Sequence, residues 1–337
     1  MAQDLIVATY TLLNASLEEA VASKYDAKLV IKQCATEDEI IEIARDADII
    51  LTAVEPITRR VIENLSRCRL IATIKLGYDN IDIAAATEHG ICVSNVPDYC
   101  FDEVSDHGMA LILACARKLV SVNNMVKTER PNMIQLIPVI TPMFKLRGQT
   151  LGLVGFGKIA RMLAVKAQAF GMRVISYDPY LTSDVPLQYG VETVDFERLI
   201  TESDFISIHA ALTPQNRNMF GIEQFKKMKS TAYIINTSRG DFIDEKALYD
   251  AVSNGEIAGA GLDVLQTDPG PANEDNPLLT LEKVILTGHT AHFSATAWGD
   301  VRRRPTEEVE KGLLWEWPRG FVNPQVKDKF LRKWGKA

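Results

Sequence analysis

A glycine-rich turn provides the first chemistry that this sequence could perform. The stretch TLGLVGFGKIARMLAVKAQAFGMRVISYDP places Gly155, Gly157 and Ala160 in the spacing G-x-G-x-x-A, between an apolar run and a segment with apolar residues at helical spacing. Gly155 permits a sharp turn, Gly157 lets the backbone approach a pyrophosphate, and Ala160 lets the helix pack closely on the strand. The N–H groups at the helix start, at Lys158 and Ile159, would bind the phosphates.

A carboxylate ends the same unit. A second apolar run, Arg173 to Tyr177, stops at Asp178, where a side chain could accept hydrogen bonds from the adenosine ribose and repel a 2′-phosphate. Glycines alone are weak evidence, because they also mark ordinary turns. Strand, helix, second strand and terminal acid all fall in place here, which favours a dinucleotide site that takes NAD rather than NADP.

Ionisable side chains follow three later strands of the predicted fold. Arg239 lies in INTSRGDFID, Asp263 and Asp268 lie in GLDVLQTDP, and His289 lies in LTGHTAHFS. The carboxyl ends of parallel strands are where α/β domains place their sites. Taken singly, however, a surface arginine and a satisfied core histidine are the ordinary interpretations.

The elements that would position these groups alternate along the whole chain. In the first hundred residues apolar runs and amphipathic segments alternate as β-α-β-α, which predicts a parallel α/β domain without a glycine fingerprint. The strands are predicted at 5–9, 29–31, 48–52, 70–74 and 91–95, and the helices at 16–23, 37–45, 58–65 and 81–88. From residue 151 the alternation resumes, with strands at 205–209, 232–236, 259–264 and 284–286 and helices at 195–200, 222–228 and 245–253. We predict a doubly wound dinucleotide domain there.

Two intervening stretches and the chain end have less regular patterns. A long helix is predicted from Phe101 to Lys127, and the sequence past Ala291 is predicted to be helical to about Leu314 and then to end in a tail. The stretch from Arg130 to Pro142 is rich in proline and apolar residues and shows no clear period. Our hypothesis is that it packs across a dimer interface, and the alternative is a buried loop within one subunit.

Composition excludes several classes of protein. The 337 residues allow two domains, and the net charge of −7 with a pI near 5.4 argues against nucleic acid or an anionic membrane as the main partner. Five cysteines without a C-x-x-C pair favour reduced thiols in a cytosolic protein. We find no signal peptide, no stretch that would span a membrane and no ligand spacing for a metal, so we expect a cytoplasmic protein with no metal.

The chain resembles the D-isomer-specific 2-hydroxyacid dehydrogenases over nearly its whole length. The matching motifs occur in the expected order: LGYDNID, SNVPDYCFDEVSDH, LRGQTLGLVGFGKIA, the acid at 178, HAALTPQNRNMF, INTSRGDFIDEKAL, GAGLDV and GHTAH. The phrasing NVPDYCFDEVSDH and HTAHFS is most similar to the branch that includes the C-terminal binding proteins and related bacterial dehydrogenases.

The resemblance implies an architecture. A Rossmann NAD domain, residues 102–292, would be inserted into a smaller flavodoxin-like α/β substrate domain made of residues 1–101 and 293–337. The active site would lie in the cleft between these domains, and two subunits would form a homodimer through the NAD domain.

The resemblance also assigns roles to the ionisable residues. Arg239 would bind the substrate carboxylate and carbonyl, where its planar fork suits bidentate contact. His289 would be the general acid that protonates the carbonyl oxygen and takes the proton back in oxidation. Asp268 would orient this imidazole and favour its protonated form. Asp263 would bind the nicotinamide amide.

Other residues are expected around the bound molecules. Leu76 and Gly77 match the loop whose N–H groups hold the substrate carboxylate. His209 and Thr237, each after a predicted strand, are expected to line the nucleotide site. A further hypothesis is that Lys75 and His292, the latter sharing a helical face with His289, admit a substrate with a second anionic or polar group. The alternative is that Lys75 points to solvent and His292 is pocket wall.

Two positions depart from the family pattern. The partner of the histidine is usually glutamate, and Asp268 is one methylene shorter. The residue before the histidine is usually proline, and Gly288 gives the backbone more freedom there.

Three functions remain open on the sequence. We favour an NAD-dependent oxidoreductase that interconverts a 2-oxo acid and its D-2-hydroxy acid. The alternative from another class is an NAD(H)-sensing, corepressor-like interaction protein, against which the absence of a long disordered tail or basic patch argues. A one-carbon hydride donor such as formate has no positive support.

Overall fold

Two parallel sheets carry the structure, a computed structural model that describes residues 3–10, 14–182, 184–268 and 272–334. The chain divides into two compact units, Met1–Tyr99 with Ser294–Ala337, and Cys100–Phe293. Each unit alternates strands and helices around one sheet. The predicted α/β fold class is therefore confirmed.

The first unit is built on a five-stranded sheet with the order β2-β1-β3-β4-β5, in which all pairs are parallel. Strands β3 and β4 are buried along their whole length, as their continuous apolar runs require. Helix starts are fixed locally: Thr36 and Glu39 form a reciprocal capping box at α2. The elements are β1 (Leu5–Ala8), α1 (Ser16–Lys24), β2 (Lys28–Ile31), α2 (Glu37–Ala44), β3 (Ile49–Thr52), α3 (Arg59–Glu63), β4 (Leu70–Thr73), α4 (Ile83–His89) and β5 (Cys92–Ser94).

The second unit is a doubly wound domain. Its seven strands have the order β12-β11-β10-β9-β6-β7-β8 and are all parallel, so the strand order reverses between β6 and β9. This is the Rossmann topology, whose ligands bind beyond the carboxyl ends of the strands at that reversal. The elements are α5 (Phe101–Ala116), α6 (Leu119–Glu129), α7 (Met133–Ile140), β6 (Thr150–Val154), α8 (Lys158–Ala169), β7 (Arg173–Tyr177), α9 (Asp184–Leu187), β8 (Glu192–Thr193), α10 (Phe196–Glu202), β9 (Phe205–Ile208), α11 (Ile222–Lys227), β10 (Tyr233–Asn236), α12 (Glu245–Ser253), β11 (Gly259–Leu262) and β12 (Val284–Leu286).

The long helix predicted from Phe101 to Lys127 is wrong, because it breaks into α5 and α6. Lys118 takes a left-handed conformation with φ 49°, and its Nζ donates to the carbonyl oxygen of Val139 at 2.9 Å, which holds the break. Among the described residues no single helix has the length and apolar composition to cross a membrane; only α5 and α6 together pass that test, across a bend of 57°.

The stretch from Arg130 to Pro142 is not a buried loop. It contains helix α7, which begins with a capping box in which Asn132 accepts from the N–H of Gln135 and the Gln135 side chain accepts from the N–H of Asn132. Met133 and Ile134 on this helix are 78% and 75% exposed. The buried-loop alternative is therefore wrong, while the dimer hypothesis stays a proposal.

The chain returns to the first unit through a long helix and a short one. Helix α13 (Ala295–Leu313) is capped by Ser294, whose Oγ accepts from the N–H of Ala297 at 3.0 Å. The tail, to which the sequence assigned no helix, forms α14 (Lys327–Trp334). Asn323 fixes this tail to the sheet, because its side chain accepts from Val93 N at 2.9 Å and donates to Ile91 O at 3.0 Å.

Arg69 joins β4 to the end of α13. The side chain is fully buried; its Nη1 donates to Asp48 Oδ1 at 2.9 Å, its Nε donates to Gly312 O at 2.8 Å, and its guanidinium lies 4.3 Å from the ring centre of Trp315. Removing Arg69 takes from the buried Asp48 carboxylate its buried arginine partner and leaves the more exposed Arg67.

We expect Arg69→Met to lower the free energy of unfolding by about 3 kcal/mol. The control is Arg67→Met: Arg67 binds the same carboxylate at 2.6 Å but is 38% exposed, so about 1 kcal/mol or less is expected. Denaturant unfolding of the two variants measures the difference. Equal losses would contradict the role of burial.

Candidate active site

The glycine loop connects β6 to α8 at the carboxyl edge of the seven-stranded sheet. Gly155 has φ 83°, and a Cβ there would lie 2.8 Å from Ala210 Cα, so glycine is required by both conformation and space. A Cβ on Gly157, the N-cap of α8, would meet no atom within 4 Å. Ala160 is fully buried in the packing of α8. The loop therefore leaves open space beside the helix N–H groups of Lys158 and Ile159, which fits a pyrophosphate.

Asp178 lies directly beyond β7, next to this loop. Its Oδ2 accepts from the N–H of Phe156 at 2.9 Å, and its Oδ1 accepts from the N–H of Tyr180 at 3.0 Å. The carboxylate is thus fixed in orientation by the backbone. Each oxygen has a second lone pair that could accept from a ribose hydroxyl.

Thr237 and His209 follow β10 and β9 at the same edge. The Thr237 hydroxyl is buried and has no hydrogen-bond partner among the described residues, which is the state expected of a side chain that awaits a ligand. His209 Nε2 lies 2.8 Å from Ser207 Oγ, and burial lowers the pKa of His209 to about 4. The imidazole is therefore neutral at neutral pH and adds no positive charge to the nucleotide site.

The loop after β10 carries Arg239 and is fixed by short polar contacts. Asn236 Nδ2 donates to Arg239 O at 2.8 Å, and Ser238 Oγ donates to Ile208 O at 2.7 Å. A Cβ on Gly240 would lie 2.0 Å from the carbonyl carbon of Leu265, so this loop approaches the one after β11 closely. The Arg239 side chain is partly buried, and its Nη1 donates to Ser238 O at 2.8 Å.

Asp263, at the end of β11, is a hydrogen-bonding hub. Its buried carboxylate accepts from Thr287 Oγ1 at 2.6 Å, Thr290 N at 2.9 Å and Ala291 N at 3.0 Å. Its backbone carbonyl accepts from His289 N at 2.5 Å. The aspartate that the resemblance assigns to the nicotinamide thus fastens the loop that carries His289.

His107 on α5, to which the sequence assigned no role, contacts the residues around Asp263. Its Nε2 lies 2.9 Å from Thr287 Oγ1 and 3.6 Å from Asp263 Oδ1. The Thr287 hydroxyl has one proton and donates it to Asp263 Oδ1. His107 Nε2 must therefore donate the hydrogen bond to Thr287. A histidine on an otherwise apolar helix face, in the motif SDH, was the only available signal.

His289 and Asp268 come together, as the resemblance implies. His289 Nδ1 lies 3.5 Å from Asp268 Oδ2, with the side chains 41% and 20% exposed. Asp268 Oδ2 also accepts from Leu265 N at 3.1 Å. Burial raises the pKa of Asp268, and the charge of His289 acts in the opposite direction. The separation is that of an ion pair rather than a short hydrogen bond.

His292 lies beside His289 without sharing a helix with it. The two rings are perpendicular with centroids 5.7 Å apart, but α13 begins only at residue 295, so the assumed helical geometry does not hold. Burial lowers the pKa of His292, and the neighbouring His289 lowers it further. An uncharged second imidazole therefore adjoins the first.

Lys75, Leu76 and Gly77 belong to the other unit, directly after β4, and all three are partly buried. Lys75 Nζ donates to Asn80 Oδ1 at 3.2 Å, and Leu76 O accepts from Asn95 Nδ2 at 2.7 Å. The lysine is thus held by the structure and does not simply extend into solvent.

One cavity lies elsewhere in the second unit. It has a volume of about 430 Å³ and is lined by Phe205, Tyr233 and Ile285, near the amino ends of their strands, and by Lys118 on the α5–α6 break. It is on the opposite edge of the sheet from the ionisable loops. Among residues 3–10, 14–182, 184–268 and 272–334, no group of three or more His, Cys, Asp or Glu side chains could hold a metal ion.

The comparisons with known proteins agree on one family. The D-isomer specific 2-hydroxyacid dehydrogenase NAD binding domain matches residues 109–291. A glyoxylate reductase of Korarchaeum cryptofilum is 40% identical over 288 residues, 85% of this chain and 84% of that protein. A hydroxypyruvate reductase of Thermotoga maritima is 38% identical over 277 residues, 82% of this chain and 87% of that protein. A D-lactate dehydrogenase of Aquifex aeolicus, solved with NAD and lactic acid, has a TM-score of 0.80 at 27% identity and covers 95% of this chain and 99% of its own.

The Rossmann topology and the glycine loop define a nucleotide-binding α/β protein, and the NAD binding domain that matches residues 109–291 makes it an NAD-dependent oxidoreductase. Histidine, arginine and aspartate at the carboxyl ends of its strands match the order of motifs in one such family. The chain belongs to the D-isomer-specific 2-hydroxyacid dehydrogenases.

Proposed function

We propose that the protein reduces a small 2-oxo acid to the D-2-hydroxy acid with NADH. The observation that carries this proposal is the His289–Asp268 pair at 3.5 Å. Asp263 fastens the loop of His289, and the loop of Asp268 closely approaches the Arg239 loop. Two relatives are named glyoxylate reductase and hydroxypyruvate reductase, after 2-oxo acids. The identity of the acid for this chain is part of the proposal.

Each polar group has a task in the proposed reaction. NADH, when bound, supplies the hydride that adds to the carbonyl carbon. His289 donates its proton to the carbonyl oxygen, and Asp268 stabilises the imidazolium before the transfer. Arg239 binds the carboxylate and polarises the carbonyl. Gly155, Gly157, Asp178 and Thr237 hold the cofactor.

Substrate selection is proposed on the residues after β4 and on His292. Leu76 and Gly77 are assigned the substrate carboxylate because of the family motif. Lys75 supports the hypothesis of a second anionic or polar group on the substrate, because this partly buried cation directly precedes Leu76 and Gly77 and its ammonium donates to Asn80 Oδ1. Comparing Lys75→Ala and His292→Ala on mono- and dianionic acids tests this assignment.

A homodimer in the cytoplasm is proposed for the assembly. The support is the exposed apolar surface of α6 and α7, formed by Leu119, Val126, Met133, Ile134 and Ile137. Contiguous apolar side chains of this kind mark interaction surfaces on soluble proteins.

The proposed function is tested by following NADH oxidation at 340 nm with glyoxylate, pyruvate, hydroxypyruvate and branched, aromatic and dicarboxylic 2-oxo acids. Turnover with at least one of them is the expected result. Tight NADH binding without turnover of any would favour the NAD(H)-sensing alternative.

Asp178 predicts the choice of cofactor. Because its carboxylate is fixed by Phe156 and Tyr180, a 2′-phosphate at the ribose would face a negative charge that cannot turn away. Asp178→Asn keeps the size and one acceptor, so we expect the NADH-to-NADPH ratio of kcat/KM to fall roughly tenfold. The exposed Asp184→Asn is the control and should leave the ratio unchanged. An unaltered ratio in Asp178→Asn would contradict a role for Asp178 in the selection of the cofactor.

A further inference from the structure

Two consecutive residues at the candidate catalytic position are left-handed. Gly288 has φ 62° and His289 has φ 59°. A Cβ on Gly288 would meet no atom within 4 Å, so conformation and not space is what favours glycine there. Positive φ at a residue such as histidine is uncommon and persists only where the surroundings impose it.

The surroundings that impose it are hydrogen bonds on both sides of the turn. Before the turn, Thr287 N donates to Leu262 O at 3.1 Å. Within and after it, the N–H groups of His289, Thr290 and Ala291 all donate to Asp263. Because both ends are fixed, the direction of the His289 side chain depends on the two φ angles between them.

Asp268 lies just within reach of this ring. It is a short side chain held at Leu265 N, and its Oδ2 comes to 3.5 Å from His289 Nδ1. Rotating the backbone at Gly288 to a negative φ would carry the imidazole away from a carboxylate that cannot follow it. Because the Asp268 side chain is short, it cannot reach the His289 ring once that ring is displaced.

We propose that Gly288 is a positioning residue whose left-handed conformation turns His289 toward Asp268, so that the turn and the aspartate act as a matched pair. The effect on turnover rests on the proposed function, whereas the effect on the histidine does not. The other charged or titratable groups around the pair are Asp263, Arg239, His292 and, through Thr287, His107.

The test separates conformation from size at position 288. Asparagine tolerates the left-handed region, and a β-branched valine does not. The measured quantity is the shift that Asp268→Asn causes in the ring signals of His289 in NMR spectra. In Gly288→Val we expect this shift to fall by at least about half, because the ring no longer faces the carboxylate. In Gly288→Asn it should equal the shift in the wild type. The chain has five histidines, and the signal lost in His289→Gln assigns the resonance.

A double-mutant cycle checks that the effect passes through Asp268. Asp268→Asn should shift the ring signals of His289 in the wild type and should shift them much less in Gly288→Val. Gly255→Val is the matched control for strain, because Gly255 has φ 72° and equally open space. It should lower the melting temperature as Gly288→Val does, without changing the response of His289 to Asp268→Asn. If Gly288→Val does not fold, Gly288→Ala takes its place with a smaller loss of that response.

Two results would overturn the proposal. One is a shift of the His289 signals by Asp268→Asn in Gly288→Val that equals the shift in the wild type, despite a lower melting temperature, which would make the glycine merely structural. The other is no shift of these signals by Asp268→Asn in the wild type. Kinetics give an independent readout, since Gly288→Val should lower kcat and leave the KM for NADH unchanged. If wild-type protein turns over no 2-oxo acid, the proposed function fails while the NMR result still decides the role of Gly288.

Discussion

His289→Gln is expected to lower kcat for 2-oxo acid reduction about 10²- to 10⁴-fold, the usual contribution of a general acid. The ring is accessible, lies 3.5 Å from a carboxylate and projects from a loop fixed by Asp263, so it combines a titratable proton with a defined position. Glutamine retains the polarity and much of the volume but cannot titrate. NADH affinity should change less than about twofold, because affinity comes from the cofactor loops.

The pH profile distinguishes an acid from a structural histidine. In the direction of reduction the ring must be protonated, so kcat/KM should fall as pH rises. In oxidation the ring must be neutral, so kcat/KM should fall as pH decreases. His289→Gln should lose this limb in both directions. The control His89→Gln changes a histidine whose Nδ1 contacts Ala85 O on α4, and it should retain both limbs. Retention of the limb in His289→Gln would assign the proton to another group.

Most of the parallel strands were predictable because they are short apolar runs that are buried on both faces. The exposed edge strand β8, Glu192–Thr193, has no such run and was not predicted. Strand β10, for example, was predicted at 232–236 and is Tyr233–Asn236, and the helix predicted at 245–253 is α12. The same pattern placed Arg239, Asp263 and His289 at one edge, since the carboxyl ends of parallel strands meet there.

The errors have identifiable physical causes. The break at Lys118 uses a left-handed lysine held by Val139 O, a contact with a residue 21 positions later that no local pattern reveals. Helix α7 did carry a signal, the Asn132 and Gln135 capping box, which the proline and the lack of period obscured. The double left-handed turn at Gly288 depends on hydrogen bonds from another strand, so sequence indicates only that glycine permits it.

The role of Asp263 was assigned by resemblance, and the geometry points to a different main task. Of the four lone pairs of its carboxylate, three accept from Thr287, Thr290 and Ala291, and one on Oδ2 remains for a carboxamide. If it is an anchor, its loss should act on stability and turnover together. If it serves the nicotinamide, its loss should act on cofactor affinity.

We expect Asp263→Ala to lower the free energy of unfolding by about 3 kcal/mol, since the N–H of the buried Ala291 and the hydroxyl of the half-buried Thr287 each lose a charged acceptor at about 1.5 kcal/mol. His289 N keeps its bond to the backbone carbonyl of residue 263, but Thr290 and Ala291 after it are released. The left-handed turn then loses one of its fixed ends, and kcat should fall at least about 100-fold. The affinity for NADH should change by less than about threefold. Denaturant unfolding, steady-state kinetics and NADH fluorescence titration measure the three quantities.

The matched control is Asp195→Asn, which keeps an N-cap acceptor for Arg198 N on α10. Asparagine and aspartate cap helices about equally, so unfolding and kinetics should stay close to those of the wild type. If Asp263→Ala left the unfolding free energy unchanged and lowered the NADH affinity tenfold or more, the main role of Asp263 would be to bind the nicotinamide. The expected pattern, lower stability and kcat at constant affinity, follows because the carboxylate holds the backbone that positions the acid rather than the cofactor that delivers the hydride.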